Sequence, residues 1–440
     1  MARALITGIS GFAGVHLAEH LLACGDVVAG TSSSGRWRPG TPAAVALSVQ
    51  LWPWDLEGPP QQDAALAQRL AAFEPEHVYH LAALSIPREC GDVEPTPRAW
   101  NVNVVGTGRL LDVLAQAAPQ ARMLFVSSSH VYAPVARAAP VVDEQWPLAP
   151  RRGYGKTKLA AERLLAERAR SGRPAVVVAR AFQHTGPRQG LPMMLPEWVA
   201  QFCRSDSAPI VVQNDNTCID LSDVRDVVRA YRLLMLHGSP GEAYNVGSGI
   251  LRTTGEVLEV LRRLAGPHRE IQVRSHEERA DPIADISRLA ACTGWRPVFT
   301  LEQTVADTLD AWRRAILVSG PREALLRRIP EATPTAQAAV LASARTALAE
   351  HLARLDARPD AAADTWPIDS ARARMLDLRG VANRDFEDRT PGDGRGGWTD
   401  QGENSLLEAE WGQQRYAGVP IDIIRPDSNG FRAVLVLKGT

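Results

Sequence analysis

The chain runs to 440 residues, 22% of them charged and 45% hydrophobic, with a formal net charge of -1. At about 150 residues per domain, that length predicts two or three domains and a sizeable buried core. Its 49 basic residues are balanced by 50 acidic ones, which leaves no cationic surface for a phosphate backbone and excludes nucleic acid as the expected partner.

From residue 1 to about 316, short apolar runs alternate with helix-length amphipathic stretches, the pattern of βαβ units around a parallel sheet. Strands are expected over Ala4 to Thr7, Val27 to Gly30, His77 to Leu81, Met123 to Ser127 and Ala175 to Arg180. Helices are expected over Val15 to Ala23, Gly106 to Ala117 and Lys158 to Arg170. The fold class is therefore α/β: a Rossmann, doubly wound parallel sheet over about 1 to 182, then a small α/β substrate-binding region over about 183 to 316. That region holds a strand-like Pro209 to Gln213 and helix-like Asp226 to His237 and Thr254 to Ala265. Residues 317 to 365, rich in Ala, Leu, Arg and Glu, predict a helical linker. Residues 366 to 440 turn to Gly, Asp and Asn with apolar alternations at Val419 to Ile424 and Ala433 to Leu437, which predicts a small β-rich module.

Five cysteines, Cys24, Cys90, Cys203, Cys218 and Cys292, are scattered without CxxC spacing. That argues against a disulfide framework or a metal site and for a reducing cytoplasm. No apolar run approaches the roughly 18 to 20 residues of a membrane span, and the N-terminus enters a glycine motif, so a soluble protein with no membrane partner is expected.

The stretch Leu5-Ile-Thr-Gly8-Ile-Ser-Gly11-Phe12-Ala-Gly14 puts three glycines at the turn from the first strand into the first helix. Such glycines let the backbone turn tightly and approach a pyrophosphate while the helix N-terminus stabilises its charge. Gly8, Gly11, Phe12 and Gly14 are therefore expected to hold a dinucleotide. After the second strand, where an acidic residue would take the ribose hydroxyls of NAD(H), the chain reads Thr31-Ser-Ser-Ser-Gly-Arg36-Trp-Arg38. Arg36 and its neighbours suit a 2'-phosphate, which favours NADP(H) and leaves dual use with NAD(H) open.

Tyr154-xxx-Lys158 has the spacing that sets a phenol and an ammonium on one helix face. A nearby cation favours the tyrosinate and is expected to lower the phenol pKa toward the working range of a general acid/base. Only three lysines occur, Lys156, Lys158 and Lys438, and two of them lie in this pentapeptide. Upstream, Phe125-Val-Ser127-Ser128-Ser129-His130 ends a strand in hydroxyls. A serine at the carboxyl end of a parallel strand faces the ligand crevice, and Ser128 is the one expected to hydrogen-bond a substrate oxygen.

Together with His80-Leu-Ala82-Ala83 and Asn103-Val-Val-Gly106-Thr107, these motifs resemble the extended short-chain dehydrogenase/reductase family of nucleotide-sugar enzymes over about residues 1 to 316. Arg180-Ala-Phe-Gln183-His-Thr-Gly-Pro187, Asp223-Val-Arg225-Asp and Tyr244-Asn-Val-Gly-Ser-Gly249 are most similar to its GDP-4-dehydro-6-deoxy-D-mannose reductase branch, with the GDP-mannose 4,6-dehydratases as neighbours. The resemblance implies that Tyr154 protonates the substrate oxygen, Lys158 holds the nicotinamide ribose, Ser128 orients the carbonyl and Asn103 supports the network. It further implies Asp55 and Leu56 at the adenine, Ala82 and Ala83 along the cofactor, Ser129 and Gln183 at a GDP-sugar substrate, and Arg279 at its diphosphate. A homodimer through helices near Gly106 to Ala117 and Lys158 to Arg170 is implied as well.

Dehydratases of this group carry an acidic residue where this chain has Ser129-His130, so hydride transfer is expected over elimination. A dehydratase or epimerase stands as the alternative within the enzyme class. Ile219 occupies the place of an arginine that commonly grips the diphosphate. Either Arg225 or Arg279 substitutes, or the substrate is not a standard nucleotide-sugar. The stretches around Asp393, Trp398, Asp400 and Glu403 resemble the opening of β-sandwich modules appended to bacterial glycoside hydrolases, which implies a glycan partner and, as an alternative of another class, a cofactor-loaded glycan-binding scaffold.

Overall fold

A computed structural model describes residues 2–38, 40–168, 174–204, 208–266, 269–319, 421–424 and 434–437. Residues 1–36 with 49–312 form one compact unit, and 37–48 with 313–440 form another. The first unit is built on seven strands: β1 (Arg3–Thr7), β2 (Val27–Ser32), β3 (Gln50–Pro53), β4 (His77–His80), β5 (Arg122–Ser128), β6 (Ala175–Ala181) and β7 (Ala243–Val246). Their order is β7-β6-β5-β4-β1-β2-β3, with every neighbouring pair parallel. This is the expected doubly wound Rossmann class.

The strands read as near-continuous apolar runs because helices cover both faces of the sheet. On one side, Leu66, Leu70 and Phe73 of the helix Pro60–Phe73 join Leu110 and Leu114 of Gly106–Ala117 and Leu165 of Gly153–Arg168 in a core with Leu5, Val78, Met123 and Phe125. On the other, the helix Phe12–Ala23 packs against Val224–His237. The strand order reverses between β1 and β4, and in such sheets ligands bind outside the carboxyl ends of the strands at that switch point.

The smaller region centres on the strand Thr217–Asp223, paired antiparallel with Leu251–Thr253 and parallel with Arg279–Ala280 and Gln183–Thr185. Trp198, Val199, Ile219, Leu221, Leu258 and Val305 share its core. In the second unit, Ile421–Ile424 pairs antiparallel with Val434–Leu437. The expected linker beyond 319, and Asp393, Trp398, Asp400 and Glu403, lie outside the described residues.

Candidate active site

The glycine turn is shaped by steric necessity. Gly8 has φ +70, and a Cβ there would meet the Ala82 Cα at 2.8 Å; one at Gly14 would meet the Gly8 carbonyl oxygen at 2.5 Å. Gly8 therefore lets the loop lie on the end of β4, and Gly14 lets the helix follow at once. That helix starts from Gly11 with no side-chain cap, leaving its first amides available to an anion. Phe12 stacks on His184 with ring centroids 6.1 Å apart. Arg36 is exposed four residues beyond β2, and Leu56 is buried against Gly106, with Asp55 beside it. A cradle that admits no Cβ, next to an uncapped helix start, fits a dinucleotide pyrophosphate.

Tyr154 lies in the first turn of Gly153–Arg168, which begins five residues before the expected start. A Cβ at Gly153 would stand 2.2 Å from the Cys90 carbonyl oxygen, and one at Gly155 would stand 2.1 Å from that of His130. The two glycines thus let Tyr154 press between two stretches of backbone. One turn on, the buried Lys158 donates from Nζ to the Val126 carbonyl at 2.9 Å and sits 6.0 Å from the centroid of the Tyr154 ring. Burial lowers Lys158 to about 8, against the opposing pull of Cys90 and Glu162.

Burial also raises the Tyr154 phenol above its usual value; the Cys90 thiol adds to this, and a hydrogen bond with Ser128 opposes it. The cation-lowered phenol expected from the sequence is thus corrected: desolvation outweighs the Ser128 hydrogen bond that opposes it, and Tyr154 is held protonated. Strand alternation separates the serines at the end of β5. Ser127 donates to the Glu162 carboxylate, while Ser128, 5% exposed, turns the other way toward Tyr154 and accepts from the His130 amide at 3.2 Å.

Glu162 is gripped by Arg180 at 2.9 and 3.2 Å, and Arg180 donates in turn to the Tyr132 hydroxyl at 3.2 Å. Asn103 donates to the Leu84 carbonyl and to Thr157 Oγ1, each at 3.0 Å, and accepts from the Leu84 amide at 2.8 Å. Because Thr157 Oγ1 donates to the Tyr154 carbonyl at 2.8 Å, Asn103 acts on Tyr154 by holding its helix turn. His80 bridges Thr7 Oγ1 at 2.6 Å and Thr107 Oγ1 at 2.9 Å. Burial and the nearby Lys158 lower it to about 3, so it is neutral.

At the substrate side, Gln183 donates to Asp281 at 2.6 Å. The His130 ring stands edge-on to Tyr154 at 5.7 Å, its pKa lowered by burial while Asp281 opposes the shift. Ser129 is buried beside it. Asp281 and His130 also border the site. Arg225 is not brought to the crevice. It is buried, with Nε and a terminal nitrogen on Asp223 at 2.8 and 2.6 Å and the other terminal nitrogen on Asp307 at 2.7 Å. Its charge is consumed in the fold, which corrects its expected role at the substrate. Arg279 is exposed and paired with Glu277 at 3.0 Å.

Residues 4–247 match the NAD dependent epimerase/dehydratase family. The chain belongs to this family. It is 30% identical to the GDP-6-deoxy-D-mannose reductase of Pseudomonas aeruginosa over 71% of its own length and 98% of that protein's. The solved structure of RMD from Pseudomonas aeruginosa complexed with NADPH superposes with a TM-score of 0.60 at 29% identity, covering 71% of this chain and 98% of the other. The UDP-glucose 4-epimerase of Thermus thermophilus, in complex with NAD, gives a TM-score of 0.60 at 27% identity, covering 71% and 99%. Among the described residues, no helix is long and apolar enough to cross a membrane, and no group of three or more His, Cys, Asp or Glu is placed to hold a metal ion.

Proposed function

We propose that the chain is an NADP(H)-preferring reductase of a 4-keto-6-deoxy nucleotide-sugar, of the GDP-4-dehydro-6-deoxy-D-mannose reductase kind. The observation that carries this reading is a buried, protonated Tyr154 with Ser129 and a neutral-leaning His130 where an eliminating enzyme needs a carboxylate base. Carbonyl reduction consumes a proton at oxygen; elimination must first remove one from carbon. The similarity to the Pseudomonas reductase and to the NADPH-bound structure supports the same direction.

Gly8, Gly11 and Gly14 would hold the pyrophosphate of the dinucleotide, whose reduced nicotinamide would supply the hydride. Ser128 Oγ donates to the carbonyl oxygen and holds it against the phenol. Tyr154 transfers its proton as negative charge develops on that oxygen, and the Lys158 ammonium, fixed by the Val126 carbonyl, stabilises the tyrosinate left behind. Arg36, on a loop without an acidic competitor, would take the 2'-phosphate, and Asp55, Leu56, Ala82 and Ala83 would hold the rest of the cofactor. Gln183 and Ser129 meet the sugar. A homodimer through Gly106–Ala117 and Gly153–Arg168, a cytoplasmic site of action and a glycan contact by residues 366 to 440 belong to the same proposal.

Incubation with GDP-4-dehydro-6-deoxymannose tests it. Stoichiometric oxidation of NADPH in preference to NADH is expected; conversion of GDP-mannose to a keto-sugar without added dinucleotide would instead establish a dehydratase.

A further inference from the structure

In the sheet built on Thr217–Asp223, Ile219 lies directly opposite Arg252, Thr217 beside Arg279 and Leu221 beside Gln183. Paired residues share a sheet face and alternate ones along a strand return to it, so Gln183, Ile219, Arg252 and Arg279 lie on one face. Ile219 and Leu221 are packed into the core on this face, and its edge leads to the chemistry: Gln183 holds Asp281, whose charge reaches His130, and the His130 ring stands against Tyr154.

The arginines on and near this face differ in how their charge is met. Arg225 is consumed by Asp223 and Asp307 in the interior, whereas Arg279 pairs with Glu277 at the exposed surface. Arg252 is half-buried, and its guanidinium has no hydrogen bond or ion pair among the described residues. Its backbone is nonetheless fixed. Thr253 begins a capping box with Glu256, whose carboxylate accepts the Thr253 amide at 2.6 Å, and Thr254 Oγ1 accepts the Thr217 amide at 3.2 Å. The nearest acidic side chain in sequence is therefore committed to the helix cap. A guanidinium carried on a rigid strand without a counter-ion is a site prepared for an anion, and its planar fork matches phosphate oxygens.

We infer that Arg252 grips the diphosphate of the nucleotide-sugar, from the strand beside the one on which Ile219 stands. This rests on the proposed nucleotide-sugar substrate. The test is calorimetric titration of GDP into the full-length, NADPH-loaded protein as wild type, Arg252→Met and Arg252→Lys, at two salt concentrations. Arg252→Met is expected to weaken GDP roughly 10- to 100-fold, to flatten the salt dependence, and to raise KM while leaving kcat largely intact. Arg252→Lys should recover part of the affinity, and unchanged NADPH binding shows that each variant is folded. GDP binding by Arg252→Met equal to wild type overturns the inference while leaving the substrate class standing. Failure of the wild type to bind GDP overturns both.

Discussion

Tyr154 and Lys158 are both buried, and burial acts on them in opposite senses, raising the phenol and bringing the ammonium down to about 8. At neutral pH both carry their protons, the state a reductive cycle starts from, and Lys158 is the first of the pair to titrate. Reductive kcat/KM is therefore expected to be level below about pH 8 and to fall about tenfold per unit above it, as the cation that stabilises the tyrosinate is lost. A profile flat to pH 10 would assign that stabilisation elsewhere. Tyr154→Phe should lower turnover roughly 100- to 10,000-fold while leaving NADPH binding, read by fluorescence, unchanged. At this scale the Ser128, Tyr154 and Lys158 set was legible because its spacing is a matter of strand ends and helix turns. Arg225 was misread because one of its carboxylates, Asp307, lies 82 residues away, and the link from Gln183 through Asp281 toward His130 was invisible for the same reason.

Among the elements, the helix Gly153–Arg168 depends on two glycines whose neighbours are backbone atoms, which cannot swing aside. Gly155→Ala should displace the Tyr154 turn and lower both melting temperature and turnover. Gly190→Ala, where nothing lies within 4 Å of the added methyl, should leave both near wild type. Breaking the buried Glu162–Arg180 pair by Glu162→Ala is expected to cost about 3 to 5 kcal/mol of stability in denaturant melts, because an unpaired guanidinium is left inside. Helical periodicity is legible in the sequence only from Lys158 onward, so the Gly-rich first turn of this helix was legible from the Tyr154–Lys158 spacing alone. β3 and β7 escaped for a different reason. Each has four residues and sits at an edge of the sheet, and β3 ends in Pro53, which only an edge strand tolerates.

Over the whole molecule, His16, His20 and His80 are each lowered to about 3, in every case chiefly by burial. Between that value and the ordinary 6.5 the unfolded chain binds protons that the folded chain refuses. Their stabilising contribution is complete above about pH 6.5 and is lost as pH falls, each contributing up to about 1.4 kcal/mol per unit. Asp226, raised to about 6 by burial, and Asp220 and Glu144, raised in the same sense, offset part of it. Melting temperature is thus expected to drop from pH 6.5 to 4, and replacing His20 by an apolar residue should shallow that slope; a melting temperature independent of pH over this window would contradict the assignment. The parallel order of the sheet was legible from the alternation of apolar runs and helices, because helices on both faces leave few other ways to bury such strands. The measurement closest to the central claim is isotope transfer from NADPH deuterated at its transferable position to GDP-4-dehydro-6-deoxymannose. The account predicts deuterium on the carbon of the reduced carbonyl with wild type and almost none with Tyr154→Phe. Equal labelling by the two proteins, or a product formed without any label, would contradict it.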